Sequence, residues 1–346
     1  MSEVIVHMGM PKTGTTSLQF FLAQNREVLA GQGICYPDGA AFMTRTGTSA
    51  NHNGLWIGSG YGTEGYHAAC DRLLTYASRF PRILFSDESI FHRYYKDRGV
   101  LQNLRTILEE HGHTLRILIY LRRQDTYLLS SWAQRIGLTY TGDFAEFLSD
   151  GLERNKVDYQ AYLARLSEDV GASQLQVRLF EKERFADDQA LYRDFLSLLG
   201  IEDCTGFSFL QETRNMSLRG QFLETKRRLN RFPSFHLDKT GERDAAFCTA
   251  RLIRNTLLEL QKEAEEGGTL LNRSPITAQE CAALLSSYDA SNAEVARTYF
   301  GRKDGDPLFA DQEIPEREAG SYTDAEIFDT MAALILRLEQ KRLQKG

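Results

Sequence analysis

The chain has 346 residues, 42% of them hydrophobic, with 41 Lys and Arg against 47 Asp and Glu and a formal net charge of −6. That balance fits a globular protein and excludes bulk attraction to nucleic acid or an anionic membrane, so a polyanion must be met by a local patch. No apolar run reaches the roughly 18 residues of a membrane span, Met1-Ser2-Glu3 opens no signal peptide, and five scattered cysteines without metal-ligand spacing fit a reducing, cytoplasmic setting.

The first predicted element is a strand near 3–8, built on Val4-Ile5-Val6-His7-Met8. Gly9-Met10-Pro11-Lys12-Thr13-Gly14-Thr15-Thr16 then forms a Gly-bounded loop, and an amphipathic stretch from Ser17 to Leu22 starts a helix over 15–30. A loop in that position points backbone N–H groups at an anion, and the dipole of the following helix favours negative charge there. The Walker pattern places Lys directly after its second Gly. Thr15 stands there in this chain and the loop's lysine is Lys12, which argues for a phosphate-like group other than a Mg-bound triphosphate.

The segment 38–65 is rich in Gly, Thr, Ser and Asn, holds His52 and Trp56, and has no period. It reads as a functional loop or lid. Strands follow near 82–86, 115–121 and 174–180, alternating with helices near 66–79, 98–112 and 125–137. This alternation predicts a three-layer α/β fold with a mainly parallel central sheet. A helix over 191–199 stops at Gly200. Beyond about 215 the pattern turns helical and charged, over 221–231, 251–265, 278–288 and 325–344. The expected organisation is an α/β core over 1–210 and a helical C-terminal extension over 211–346, packed on it as one integrated domain. Lys226-Arg227-Arg228, together with Arg231, reads as a solvated basic helix face, or else as a surface for an acidic glycan.

A second anion signature closes the strand at 115–121. Arg122-Arg123 stands at its carboxyl end, and the next helix carries Ser130-Ser131-Trp132. Ligands of open α/β sheets bind at the carboxyl ends of strands, and a guanidinium offers a fork that matches phosphate. The plainer reading pairs Arg122 with Asp125.

With both motifs present, the chain resembles the sulfotransferases that use 3′-phosphoadenosine 5′-phosphosulfate (PAPS). Their loop for the 5′-phosphosulfate is similar to Pro11-Lys12-Thr13-Gly14-Thr15-Thr16, and their 3′-phosphate motif matches Arg122 and Ser130. The usual Arg-Asp/Asn-Pro opening is Arg122-Arg123-Gln124 here, which looks like one bacterial, carbohydrate-sulfotransferase-like branch and leaves Ser130 and Ser131 as alternatives. The resemblance implies a P-loop-like fold and transfer of a sulfuryl group from PAPS, without a metal, to a hydroxyl or amine, with a carbohydrate favoured as acceptor. Loop N–H groups would hold the 5′-phosphate, Lys12 would neutralise the bridging oxygen, and Thr15 and Thr16 would add hydroxyl donors. Glu88, at the end of the strand holding Ser86-Asp87, is the expected base, with Asp87 and the loop residue His52 as alternatives. The plainer role for Glu88 is to cap the next helix or pair with Arg93. Arg302, in Phe300-Gly301-Arg302-Lys303, would fold over the nucleotide; alternatively Gly301 merely ends a helix. The rival readings are a kinase-like P-loop transferase and a non-catalytic nucleotide-binding protein.

Overall fold

The computed structural model describes residues 1–10, 13–39, 52, 64–181, 189–210, 217–235, 245–310 and 319–344. In chain order the elements begin with β1 (Glu3–Met8), α1 (Thr15–Gln24), α2 (Arg26–Gly31), β2 (Ile34–Cys35), α3 (Glu64–Ala77), β3 (Arg82–Asp87), α4 (Ser89–Lys96) and α5 (Gly99–Glu110). Then come β4 (Thr114–Arg122), α6 (Gln124–Leu138), α7 (Phe144–Ser149), α8 (Leu152–Lys156), α9 (Tyr159–Val170), β5 (Leu175–Phe180) and α10 (Ala190–Leu198). The last helices are α11 (Gly220–Leu229), α12 (Ala245–Glu266), α13 (Ala278–Ser286), α14 (Asp289–Phe300) and α15 (Asp324–Leu343).

The five strands form one sheet in the order β2-β3-β1-β4-β5, and every pairing is parallel. Parallel strands covered on both faces bury nearly every side chain, which is why β1, β3 and β4 read as almost continuous apolar runs. Successive residues still point to opposite faces. Ile5, Leu84, Leu118 and Tyr120 join a core with Leu18, Phe21 and Leu22 of α1 and Tyr192, Phe195 and Leu196 of α10. Within it Phe21 stacks on Tyr192 with ring centroids 4.5 Å apart. On the other face, the Tyr162 hydroxyl of α9 lies 3.3 Å from Met8 Sδ, and its ring stacks on Phe91 of α4 at 4.8 Å.

The chain forms two compact units, and they do not follow the expected division near 210. The first comprises Met1–Arg123, Lys156–Arg214 and Asp289–Gln312; the second comprises Gln124–Asn155, Asn215–Tyr288 and Glu313–Gly346. Side-chain bonds explain the interleaving. In the first unit Ser291 of α14 donates to Asp158 at 2.7 Å and accepts the N–H of Gln160 at 3.0 Å, at the start of α9. In the second unit Asn230 donates to the carbonyls of Ile136 and Tyr140 at 2.7 and 2.9 Å, and Lys226 donates to that of Leu138 at 3.3 Å. The carboxyl end of α6 is thereby tied to α11. Of the expected basic face, Arg231 alone is exposed. Lys226 is fully buried, and Arg227 and Arg228 both bind Glu224, at 2.7 and 2.9 Å. Among the described residues no helix is long and apolar enough to cross a membrane.

Candidate active site

The connection after β1 leads to β2 and β3 on one side of it, while β4 and β5 lie on the other. The carboxyl end of β1 is therefore the topological switch point of the sheet, where open α/β folds bind their ligands. In register, Met8 lies opposite Asp87 of β3 and Ile119 of β4. From Ile119, β4 runs on through Tyr120 and Leu121 to Arg122. The loop from Gly9 thus leaves the sheet with a pair of acidic residues on one flank and an arginine on the other.

Two glycines make the loop possible. A Cβ on Gly9 would meet the Thr15 side chain at 2.4 Å, so only glycine lets the start of α1 sit this close to the strand end. Gly14 has φ 75° and ψ 10°, a left-handed conformation costly for other residues, and a Cβ there would also meet Leu191 at 2.4 Å. Between them the loop folds around one acceptor. The Met10 carbonyl receives the Thr13 N–H at 3.3 Å, the Thr13 hydroxyl at 2.7 Å and the Thr15 hydroxyl at 3.3 Å. The Thr13 and Thr15 hydroxyls thus brace the loop from within, and Thr16 is half-buried at the helix start. Helix α1 begins with no side-chain cap and no acidic residue in its first turn. A helix start with its N–H groups uncapped favours an anion. Pro11 and Lys12 lie outside the described residues, as do Trp56 and most of the segment 38–65.

At the end of β3 the two carboxylates have separate roles. Asp87 is fully buried, and its Oδ1 accepts the N–H and the hydroxyl of Ser89 at 2.7 and 2.6 Å. It serves the start of α4, the role the plainer reading gave to Glu88. Glu88 occupies the N-cap position without a side-chain cap bond and is half-buried.

His52 is a different matter. Its backbone N–H donates to the Ser86 carbonyl at 3.0 Å, and its Nδ1 accepts the Ser86 N–H at 3.1 Å. The remaining ring nitrogen, Nε2, then carries the proton and donates to the Pro37 carbonyl at 3.1 Å. The ring packs edge-on against Tyr36 and Phe85, and burial lowers its pKa to about 4. With both nitrogens engaged and the ring buried, His52 is joined to Ser86 and Pro37 and has no lone pair to offer an acceptor hydroxyl. The expectation of His52 as a base is corrected on that ground.

Sequence reading missed a polar cluster beneath the loop. His7 Nδ1 lies 2.9 Å from Ser86 Oγ, and Gln19 of α1 donates to the Ser86 hydroxyl and carbonyl at 3.2 and 3.3 Å. These bonds tie β1, β3 and α1 together directly under the switch point. Burial holds the His7 imidazole neutral, with its pKa lowered to about 3. The available signal was a His and a Ser inside strands otherwise apolar.

Arg122 is half-buried with its guanidinium over the Phe180 ring, 5.9 Å from the centroid, and its carbonyl accepts the Tyr159 hydroxyl. In the second unit Ser131 is buried and donates to Glu153 at 3.5 Å. Ser130 instead lines a cavity of about 420 Å³ with Trp132, Arg219, Gln261 and Arg273. Arg302 is corrected to a local role. Gly301, at φ 61°, ends α14 with its N–H on the Arg297 carbonyl at 3.2 Å, an αL-type stop, and the Arg302 N–H returns to the Ala296 carbonyl at 3.1 Å. Its guanidinium donates to the carbonyls of Pro307 and Leu308, closing its own loop. Among the described residues no three His, Cys, Asp or Glu side chains are grouped to hold a metal ion.

No protein-family model matches the chain. A protein of Archaeoglobus fulgidus, described only as uncharacterized, is 27% identical over 191 residues, which cover 54% of this chain and 46% of that protein. The chain thus spans under half the length of that relative. Among solved structures, a sulfotransferase from Alicyclobacillus acidocaldarius aligns over 61% of this chain and 85% of its own, at 20% identity and a TM-score of 0.36.

Proposed function

We propose that the chain is a sulfotransferase that moves a sulfuryl group from PAPS to a hydroxyl or amine, with a carbohydrate as the favoured acceptor class. The observation that carries this reading is the Gly9–Thr16 loop at the carboxyl end of the central strand, opening an uncapped helix that has no acidic residue in its first turn. That arrangement suits an anion, and Lys12 within the loop, with Thr15 where a Walker lysine would stand, distinguishes it from a nucleoside triphosphate loop.

In this reading the N–H groups at the start of α1 hold the 5′-phosphate, and Lys12 stabilises charge on the oxygen released when the sulfur–oxygen bond breaks. Glu88 takes the proton of the acceptor as its oxygen or nitrogen bonds to sulfur. Positioning does the rest, as in phosphoryl transfer. Arg122 and Ser130 serve the 3′-phosphate, a role that rests on their sequence spacing, with Ser131 as the alternative to Ser130. The carbohydrate class rests on the strand-end Glu88 and the family resemblance.

The test is release of adenosine 3′,5′-bisphosphate from PAPS in the presence of mixed sugar, alcohol and amine acceptors. Wild type should turn over, and Lys12→Ala and Glu88→Gln should each be slower by roughly a hundredfold or more, the scale for losing a preorganised charge stabiliser or a base. Equal rates for all three overturn the roles, and turnover of ATP with Mg but not of PAPS favours the kinase-like rival.

A further inference from the structure

The pairing of β1 with β4 ends at Met8 opposite Ile119, three residues short of Arg122, so it does not fix the loop after Gly9 against that arginine. A side chain from a third element touches both. Tyr159, the first residue of α9, is fully buried. Its hydroxyl donates to the Arg122 carbonyl and lies 3.7 Å from Met10 Sδ. A phenol has one proton to give, and a carbonyl accepts it better than a thioether, so the bond is to Arg122 and the sulfur contact is one of packing. Met10 is the residue whose carbonyl gathers the Thr13 and Thr15 hydroxyls. One side chain thus meets the anchor of the loop and the last residue of β4.

Tyr159 is itself held from several sides. Asp158 caps α9 through the Ala161 N–H at 3.3 Å, and Ser291 of α14 binds both Asp158 and the Gln160 N–H. The Tyr159 ring packs on Phe309 with centroids 6.4 Å apart, in the loop that Arg302 closes. One turn on, Tyr162 donates to the Phe91 carbonyl at 3.1 Å and keeps the helix against α4. Arg122 is therefore gripped at its main chain by Tyr159, while its guanidinium lies over Phe180 of β5.

We propose that Tyr159 is a positioning residue that sets Arg122 relative to the loop after β1, so that one nucleotide phosphorylated at both the 5′ and 3′ positions meets both. This rests on the reading of the site as one for PAPS. A guanidinium fork holds phosphate through hydrogen bonds of about 2.7–2.9 Å that weaken steeply with angle. Removing the Tyr159 hydroxyl takes a donor from the last peptide of β4 and loosens the root from which that fork extends. The effect should fall on the 3′-phosphate and spare the 5′-phosphate, because the loop keeps its own bonds around the Met10 carbonyl.

Calorimetric titration of the full chain with adenosine 3′,5′-bisphosphate and with 5′-AMP tests this through the ratio of the two Kd values. Tyr159→Phe keeps the ring against Phe309 and removes only the hydroxyl. Wild type should prefer the bisphosphate by roughly a hundredfold and Tyr159→Phe by roughly tenfold, with 5′-AMP affinity within about twofold of wild type. In an Arg122→Ala chain, Tyr159→Phe should lower the ratio no further, because the two act through one contact. Tyr162→Phe, whose hydroxyl bonds Phe91 instead, should keep the wild-type ratio. A merely structural role for Tyr159 would lower the melting temperature of both variants and move the ratio in neither. An unchanged ratio in Tyr159→Phe, an equal fall in Tyr162→Phe, or full additivity with Arg122→Ala overturns the proposal and leaves the reading of the site intact. A wild type without preference for the bisphosphate overturns that reading and the proposal together.

Discussion

At the end of β3 three adjacent residues divide the work. Ser86 is fully buried and is held by His7, Gln19 and His52, Asp87 serves the start of α4, and Glu88 caps nothing. Glu88→Gln keeps the size and shape of the side chain while removing its charge, which makes it the probe of chemistry at this position. The two buried histidines have a consequence for stability. Burial lowers the pKa of His52 to about 4 and that of His7 to about 3, against about 6.5 in an unfolded chain. Below pH 6.5 the unfolded chain binds protons that the native state refuses, so the stabilisation is complete above 6.5 and is lost as pH falls towards 4. His52 alone accounts for on the order of 3 kcal/mol across that window. Urea denaturation at a series of pH values should show wild type losing about that much more than His52→Asn between pH 7 and 4. Parallel pH curves for the two proteins would refute the assignment.

At the scale of elements, local pattern and long-range contact contributed differently. The runs of β1, β3 and β4 were legible because a doubly covered parallel strand must be apolar throughout. β2 was not, because Ile34–Cys35 is too short to carry a pattern. Three helix starts carry a signature readable in the sequence: Asp143 with Glu146, Thr277 with Glu280 and Thr323 with Glu326 each form a reciprocal capping box. The join between α6 and α11 was beyond sequence reading, since it rests on the buried Lys226 and Asn230 side chains reaching carbonyls some 90 positions away. Asn230→Ala should cost about 2–3 kcal/mol, because two carbonyls lose their donor at once. Chemical denaturation measures this, and a loss below about 0.5 kcal/mol, the level of an ordinary surface substitution, would show that the tie is not structural.

At the scale of the whole molecule, the α/β architecture was readable from alternation, but the partition into units was not. A division near 210 follows the change from mixed to helical pattern, whereas the units exchange segments through contacts such as Ser291 with Asp158. The site was legible in the same uneven way. The loop at 9–16 and Arg122 declare themselves because their geometry is local and tied to strand ends. The plainer role of Arg302 was also readable, in the Gly301 stop. His7, Gln19 and Ser86 were hidden because their meeting depends on the register of β1 with β3. We propose that this switch point binds a nucleotide carrying both a 5′- and a 3′-phosphate. The most direct test is the change in melting temperature on adding adenosine 3′,5′-bisphosphate, with 5′-AMP as control. A ligand that binds only the folded state raises stability by mass action, by about 2.7 kcal/mol at a hundred times its Kd. The predicted result is a clear upward shift with the bisphosphate, little with 5′-AMP, and a reduced shift in Arg122→Ala. No shift at millimolar bisphosphate, or equal shifts with both nucleotides, would contradict the account.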